Sequence, residues 1–212
     1  LHSTSTHLAA NFAAMPENTL NVLAVAGSLN ESSVTRLVVH QLGEQLRAAA
    51  CQVDILDLRK EALQLFDPEV AYTQPGYPAL ARRVAQADVF ILGTPDYHGS
   101  VSSAMKNFLD HFWQEFTGKL FAPIVASHEK GLTVLDQLRT IARQCYAWAM
   151  PYGVSFAEKA DVANGVIVNK QFKKRLEMYA RDIRVYGTLL AQQRRADLTG
   201  TEPGFLERLR KK

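Results

Sequence analysis

Val22-Leu23-Ala24-Val25-Ala26-Gly27-Ser28-Leu29-Asn30-Glu31-Ser32-Ser33-Val34-Thr35 is the stretch that decides the fold. It opens on an unbroken apolar run, the pattern of a strand buried on both faces of a parallel sheet. Leu37, Val38, Leu42, Leu46 and Ala49 then recur at helical spacing. A strand therefore feeds a helix through a turn rich in hydroxyls. The first N–H groups of such a helix have no backbone partner, and its dipole favours an anion. Gly27 permits a sharp turn and close approach of a ligand. Ser28, Asn30, Ser32, Ser33 and Thr35 can all donate to phosphate oxygens. Each bond to a charged group contributes about 1.5–3 kcal/mol, so three or four would hold a phosphate monoester without a lysine. Capping the helix needs only one hydroxyl, from Ser32 or Ser33. The Gly-Lys-Ser/Thr ending of a Walker loop is missing, and one glycine is too few for the dinucleotide fingerprint.

Working outward, 212 residues suit one domain with a full core. An apolar fraction of 47% and a charged fraction of 21% are those of a globular chain. A net charge of +3 is too small to make nucleic acid the main partner. The late basic residues, Lys170 to Arg184 and Arg208 to Lys212, read as a solvated helix face and a tail. Cys51 and Cys145 give neither metal spacing nor a disulfide framework, which points to a reducing cytoplasm. No apolar run approaches the ~18 residues of a membrane span. Residues 1–19 lack the pattern of a signal peptide and read as a disordered leader. The domain is expected over 20–195, with a basic tail over 196–212.

Along the chain, strand and helix patterns alternate. Strands are expected at 21–26, 51–58, 88–93, 120–126 and within 154–168, the last interrupted by Asn164-Gly165. Helices are expected at 34–50, 79–87, 104–116, 132–148 and 172–193. Residues 67–78, with Pro68, Pro75, Gly76 and Pro78, read as a loop or lid. Such alternation gives an α/β fold: a doubly wound three-layer sandwich around a five-stranded parallel sheet. Ligands then sit beyond the carboxyl ends of the strands, where the strand order reverses. The loops after the first, third and fourth strands become neighbours there.

The loop after the third strand reads Thr94-Pro95-Asp96-Tyr97-His98-Gly99-Ser100, followed by Met105-Lys106-Asn107. With Gly27-Ser28-Leu29-Asn30-Glu31-Ser32-Ser33-Val34-Thr35, it resembles the NADPH-dependent FMN reductases over roughly residues 21–190. The resemblance implies a flavodoxin-like fold, FMN as cofactor, NADPH or NADH as co-substrate, and a homodimer or homotetramer. It implies hydride transfer through FMN, in ping-pong fashion, to a small electron acceptor such as a flavin or quinone. By position, Ser28, Asn30, Ser33, Val34 and Thr35 would surround the FMN phosphate. Pro95, Asp96, Tyr97, His98, Gly99 and Ser100 would line the isoalloxazine, and Ser127 would flank its other edge. Two departures stand out. Asn30 replaces the family's arginine and Thr35 its asparagine, leaving Arg36 as the nearest replacement charge. The third loop, Ser127-His128-Glu129-Lys130-Gly131-Leu132, has one glycine where the family often has three.

The flavin carries the chemistry in such enzymes, so no acid or base is required of the chain. His98 and His128 each have two readings, a donor to acceptor or flavin, or an ordinary loop histidine. Asp96 reads as a turn former, Ser102 or Ser103 as a helix cap, and Lys106 as a surface ion pair or a contact for the NADPH 2′-phosphate. Phe108, Phe112, Trp113 and Phe116 read as core or subunit interface rather than a cofactor box, and so much aromatic surface exceeds what one sheet face needs, which suggests a dimer. A flavodoxin-type electron carrier or a non-catalytic flavin-binding protein are the alternatives. The positive net charge disfavours the carrier.

Overall fold

A computed structural model describes residues 19–210; all but the last residue of the expected leader lies outside them. Five α-helices and eight strands follow in order: β1 Asn21–Ala26, α1 Val34–Ala48, β2 Gln52–Asp57, α2 Tyr77–Gln86, β3 Val89–Pro95, α3 Ser103–Asp110, β4 Leu120–Ala126, α4 Leu132–Gln144, β5 Trp148–Ala149, β6 Val154–Phe156, β7 Val162–Ala163, β8 Val166–Ile167 and α5 Lys170–Thr199. The main sheet is parallel in the order β2-β1-β3-β4-β5, with β6 also pairing to β4.

The alternation of each strand sends its side chains to two cores. Val22, Ala24, Val89, Ile91, Ala122 and Ile124 pack with Val38 and Leu42 of α1 and Leu176, Tyr179 and Ile183 of α5. Leu23, Val25, Phe90, Leu92, Phe121 and Val125 pack with Val84 of α2, Met105 and Phe108 of α3, and Val134 and Leu138 of α4. The expected three-layer sandwich is the result.

The edge of the sheet is split, and Pro123 supplies the reason. β5 pairs with Leu120 and Phe121, and β6 with Ile124 to Ala126. Between them the neighbouring chain leaves β4 opposite a residue that has no N–H to give. The Pro123 carbonyl accepts instead from the buried Tyr179 hydroxyl at 3.1 Å. The helix expected over 132–148 accordingly ends at Gln144, freeing Trp148 and Ala149 to form β5. The interruption at Asn164-Gly165 is a hairpin turn between β7 and β8. Both residues have positive φ, 50° and 76°, which matches a two-residue turn of type I′.

Other boundaries move for local reasons. Tyr77 starts α2, with Pro78 inside its first turn, where a missing N–H costs nothing. The helix expected over 104–116 stops at Asp110. The His111 imidazole takes the Asn107 carbonyl at 2.7 Å, and a 3-10 turn at Gln114–Phe116 redirects the chain towards β4. Phe108, Phe112 and Phe116 take the core reading, buried within this chain, while Trp113 alone of the four is half-exposed. The last helix runs on to Thr199. Beyond it the chain folds back: Leu206 is buried, Arg208 stacks over Tyr146 and Trp113, and Arg210 Nε donates to the Asp197 carbonyl.

Candidate active site

β1 and β3 are adjacent, β2 lies on one side and β4 on the other, so the strand order reverses at the β1–β3 pair. Their carboxyl ends meet closely. Gly27 N–H donates to the Gly93 carbonyl at 2.7 Å. A Cβ on Gly27 would lie 2.9 Å from that oxygen, and one on Gly93 would lie 2.3 Å from Val39 Cγ2. Glycine at both positions lets the first loop and α1 sit down on the neighbouring strand.

The first loop is fixed from within. Ser28 is buried, and its Oγ accepts from Asn30 N–H at 3.3 Å. Asn30 Oδ1 accepts from Ser32 N–H at 3.0 Å. Ser33 is the N-cap of α1, its Oγ accepting from Arg36 N–H at 3.1 Å. The cap leaves the N–H groups of Val34 and Thr35 without a partner among the described residues. Arg36 is not free to serve as the replacement charge. Its guanidinium binds Asp57 at 2.8 Å and donates to the Ser28, Asn30 and Glu31 carbonyls. It braces the loop from behind, with its charge matched by a buried carboxylate.

The second loop follows Pro95 at the end of β3. Tyr97 and Ser100 exchange two backbone hydrogen bonds across His98 and Gly99, whose φ values are 57° and 75°. Asp96 ties three segments together: its N–H donates to the Ala126 carbonyl, Oδ1 accepts from Gly99 N–H, and Oδ2 accepts from Ser127 Oγ, each at 2.8 Å. The third loop is thereby joined to the second. Ser102 caps α3 by accepting from Met105 N–H, and its own hydroxyl donates to the Gly27 carbonyl at 2.6 Å. The second loop is thereby joined to the first.

These joints close around one cavity of about 150 Å³. Ser28, Asn30, Ser33, Val34 and Thr35 line one end, and Pro95, Asp96, Tyr97 and Ser127 the other. Of the expected residues, His98, Gly99 and Ser100 lie just beyond the lining. His98 is exposed, and Ser100 spends its hydroxyl on Gln137 Oε1 at 3.1 Å. His128 and Ser32 do line the cavity. Lys106 pairs with Asp110 at 2.6 Å, as a surface residue does. No cluster of His, Cys, Asp or Glu among the described residues could hold a metal ion. The donor set at the α1 end suits a phosphate monoester: unpartnered helix N–H groups and hydroxyls, with the exposed Glu158 as the one carboxylate lining that end. The proline-tyrosine turn, half-exposed at Tyr97, offers a wall for a flat ring at the opposite end.

The family model described as NADPH-dependent FMN reductase matches residues 20–161. The chain belongs to this family. It is an FMN-dependent NAD(P)H oxidoreductase, with FMN and NADPH as cofactor and co-substrate. An FMN-dependent NADPH-azoreductase of Staphylococcus haemolyticus is 27% identical over 173 residues, covering 76% of this chain and 92% of that protein. The same-named protein of Staphylococcus aureus strain USA300 is 26% identical over 174 residues, with the same coverage. Among solved structures, an apo NADH:FMN oxidoreductase superposes with a TM-score of 0.67 at 18% identity, over 79% of this chain and 90% of that one. A flavoenzyme NAD(P)H:(acceptor) oxidoreductase from Paracoccus denitrificans gives 0.62 at 16% identity, over 82% and 98%. At such identities the structural likeness is one of fold.

Several parts of this reductase site carried no signal in sequence. Gln137, on α4, clamps the second loop: Oε1 accepts from Ser100 Oγ and Val101 N–H, and Nε2 donates to the Gly99 carbonyl. A lone glutamine on a helix face is indistinguishable from a solvated one until the loop packs against it. Glu158 reaches the cavity from beyond β6. Asn107 did belong to a quoted motif; its Oδ1 accepts from Phe66 N–H at 2.7 Å and its amide donates to the Gln64 carbonyl, fastening the long loop between β2 and α2.

Proposed function

We propose that FMN lies along the cavity with its phosphate on the N-terminus of α1 and its ring against the second and third loops. The observation that carries this is the convergence of three loops, one presenting unpartnered N–H groups, on a single cavity at the strand-order reversal. Ser28, Asn30, Ser33, Val34 and Thr35 hold the phosphate. Pro95, Asp96 and Tyr97 line the ring, His98, Gly99 and Ser100 edge it from outside, and Ser127 flanks the far side.

When bound, FMN supplies the hydride-accepting and hydride-donating ring. The chain's own task is placement. Asp96, Gln137 and Ser127 hold the second and third loops before any ligand arrives, so little order must be gained on binding. The exposed Tyr97 leaves the ring face open to NADPH first and to the acceptor afterwards, which is a ping-pong order. The relatives named as azoreductases support an azo compound as a small conjugated acceptor, and a structural neighbour named NAD(P)H:quinone oxidoreductase supports a quinone.

The protein acts in the cytoplasm, supported by two cysteines that are buried and unpaired; no helix among the described residues is long and apolar enough to cross a membrane. A homodimer or homotetramer now rests on the half-exposed Trp113, Tyr146 and Trp148 rather than on the buried phenylalanines. The deciding experiment is the visible spectrum of the purified protein before and after anaerobic NADPH. A flavin band that NADPH bleaches, with steady NADPH oxidation on adding a quinone or azo dye, is expected. A flavin band indifferent to NADPH would leave a carrier instead.

A further inference from the structure

A second cavity adjoins the first and is used by nothing described so far. Its volume is about 740 Å³, against about 150 Å³ for the first. The two share Ser32, Ser33, Val34 and Glu158, so they meet at the N-terminus of α1, away from Pro95 and Tyr97. One wall is α1, with Leu37, His40 and Gln41. The other is the β7–β8 hairpin, with Val162, Ala163 and Asn164.

Charge narrows the occupant. Arg36 also lines this cavity, but its guanidinium is committed to Asp57 and to three loop carbonyls. Glu31 lies 3.6 Å from Arg59. That leaves Lys159 beside Glu158, one charge of each sign, in a wall with no further basic cluster among the described residues. A group with its own phosphate monoester, such as the NADPH 2′-phosphate, gains little here. An uncharged nucleoside fits better. Leu37 and Ala163, each partly exposed over the buried Val162, offer apolar surface to a purine face, and His40, Gln41 and Asn164 offer hydrogen-bonding groups to its edge. The anion carrying that nucleoside must sit at the shared wall, where the flavin phosphate belongs.

We propose that this cavity receives the adenosine of FAD, so that the flavin site accepts the dinucleotide as well as FMN. The proposal rests on the placement of the FMN phosphate given above. In FMN that phosphate ends the molecule at the shared wall; in FAD it continues as a pyrophosphate, and the second cavity lies along its continuation.

The test starts from purified holoenzyme dialysed against equal FMN and FAD, gel-filtered and denatured, with each released flavin quantified. Comparable amounts are expected. Ala163→Trp fills the cavity from the hairpin and is expected to lower the FAD-to-FMN ratio roughly tenfold, with total flavin per chain unchanged. Gln41→Trp should do the same from α1, so damage to one wall does not decide the outcome. Retained FAD below about one hundredth of FMN, or a ratio that neither variant moves, overturns the proposal. A raised KM for NADPH with an unmoved ratio gives the cavity to the donor and overturns it too. Retention of neither flavin overturns the FMN placement itself, and the proposal with it.

Discussion

The two ends of the sheet treat unsatisfied backbone groups in opposite ways. At the amino end, the chain spends its own charges on them. Lys119, just before β4, is buried, and its Nζ donates to the Val84 and Ala85 carbonyls at the C-terminus of α2, each at 2.8 Å. Arg194 Nε donates to the Thr117 carbonyl, and Arg195 pairs with Asp88 at 3.2 Å. At the carboxyl end, the N–H groups of Val34 and Thr35 are left for something else to satisfy. Arg36, the nearest basic side chain, is held behind the loop by Asp57. One end is closed by its own side chains, and the other is kept open by them.

The comparison can be broken first at Arg36. Arg36→Ala leaves Asp57 buried without its partner, at an expected cost of about 3–5 kcal/mol in stability. FMN affinity should fall with it, because three carbonyls of the first loop lose their brace. Urea unfolding with and without FMN measures both; a stable variant with normal affinity would show that the brace is dispensable. Next, Ser28→Ala with Ser33→Ala removes two hydroxyl donors. FMN binding should weaken by about 3 kcal/mol, roughly a hundredfold in Kd, read by quenching of flavin fluorescence. An unchanged Kd would move the phosphate elsewhere.

The closed end has a pH signature. Burial pushes the Lys119 ammonium down from 10.5 to about 7, with Arg194 adding to the effect. Between those values the unfolded chain binds the proton and the folded chain does not, so stability rises with pH; below about 7 both states are charged and this slope vanishes. The rise is at most about 1.4 kcal/mol per pH unit. Burial raises the thiols of Cys51 and Cys145 above 9.0, which opposes the rise at high pH. The window to use is therefore pH 7 to 9. Lys119→Met should flatten the stability curve there relative to the parent, and parallel curves would contradict the lowering of the Lys119 ammonium by burial. The smallest effect is expected at Tyr97. Tyr97→Ala, at an exposed turn, should change the melting temperature of flavin-free protein by an amount equivalent to less than about 0.5 kcal/mol, while turnover falls.

Much of this was legible in one dimension because it is local. The apolar run from Val22 to Ala26 and the hydroxyl-rich turn after it specify a buried strand and a helix cap whatever surrounds them. Asp96 as turn former, Ser102 as helix cap and the Asn164-Gly165 break likewise depend on neighbours a few residues away. The misplaced elements were those decided at long range. Trp148 and Ala149 have the pattern of a helix end, and become strand because Leu120 and Phe121 offer an edge. The aromatic run from Phe108 to Phe116 is periodic enough for one helix, and breaks where His111 takes a carbonyl and the chain must return to β4.

The residues from Gly27 to Thr35 and from Pro95 to Ser100 therefore carried the resemblance that implies the family and its FMN, and the alternation of strand and helix patterns carried the three-layer sandwich, since motifs and hydrophobic periodicity are written in short stretches. Tertiary structure alone decided that Arg36 pairs with Asp57, that Gln137 holds the second loop, and that a second cavity opens beside the first. Each of these depends on which distant segment a side chain meets, and spacing along the chain does not encode that meeting.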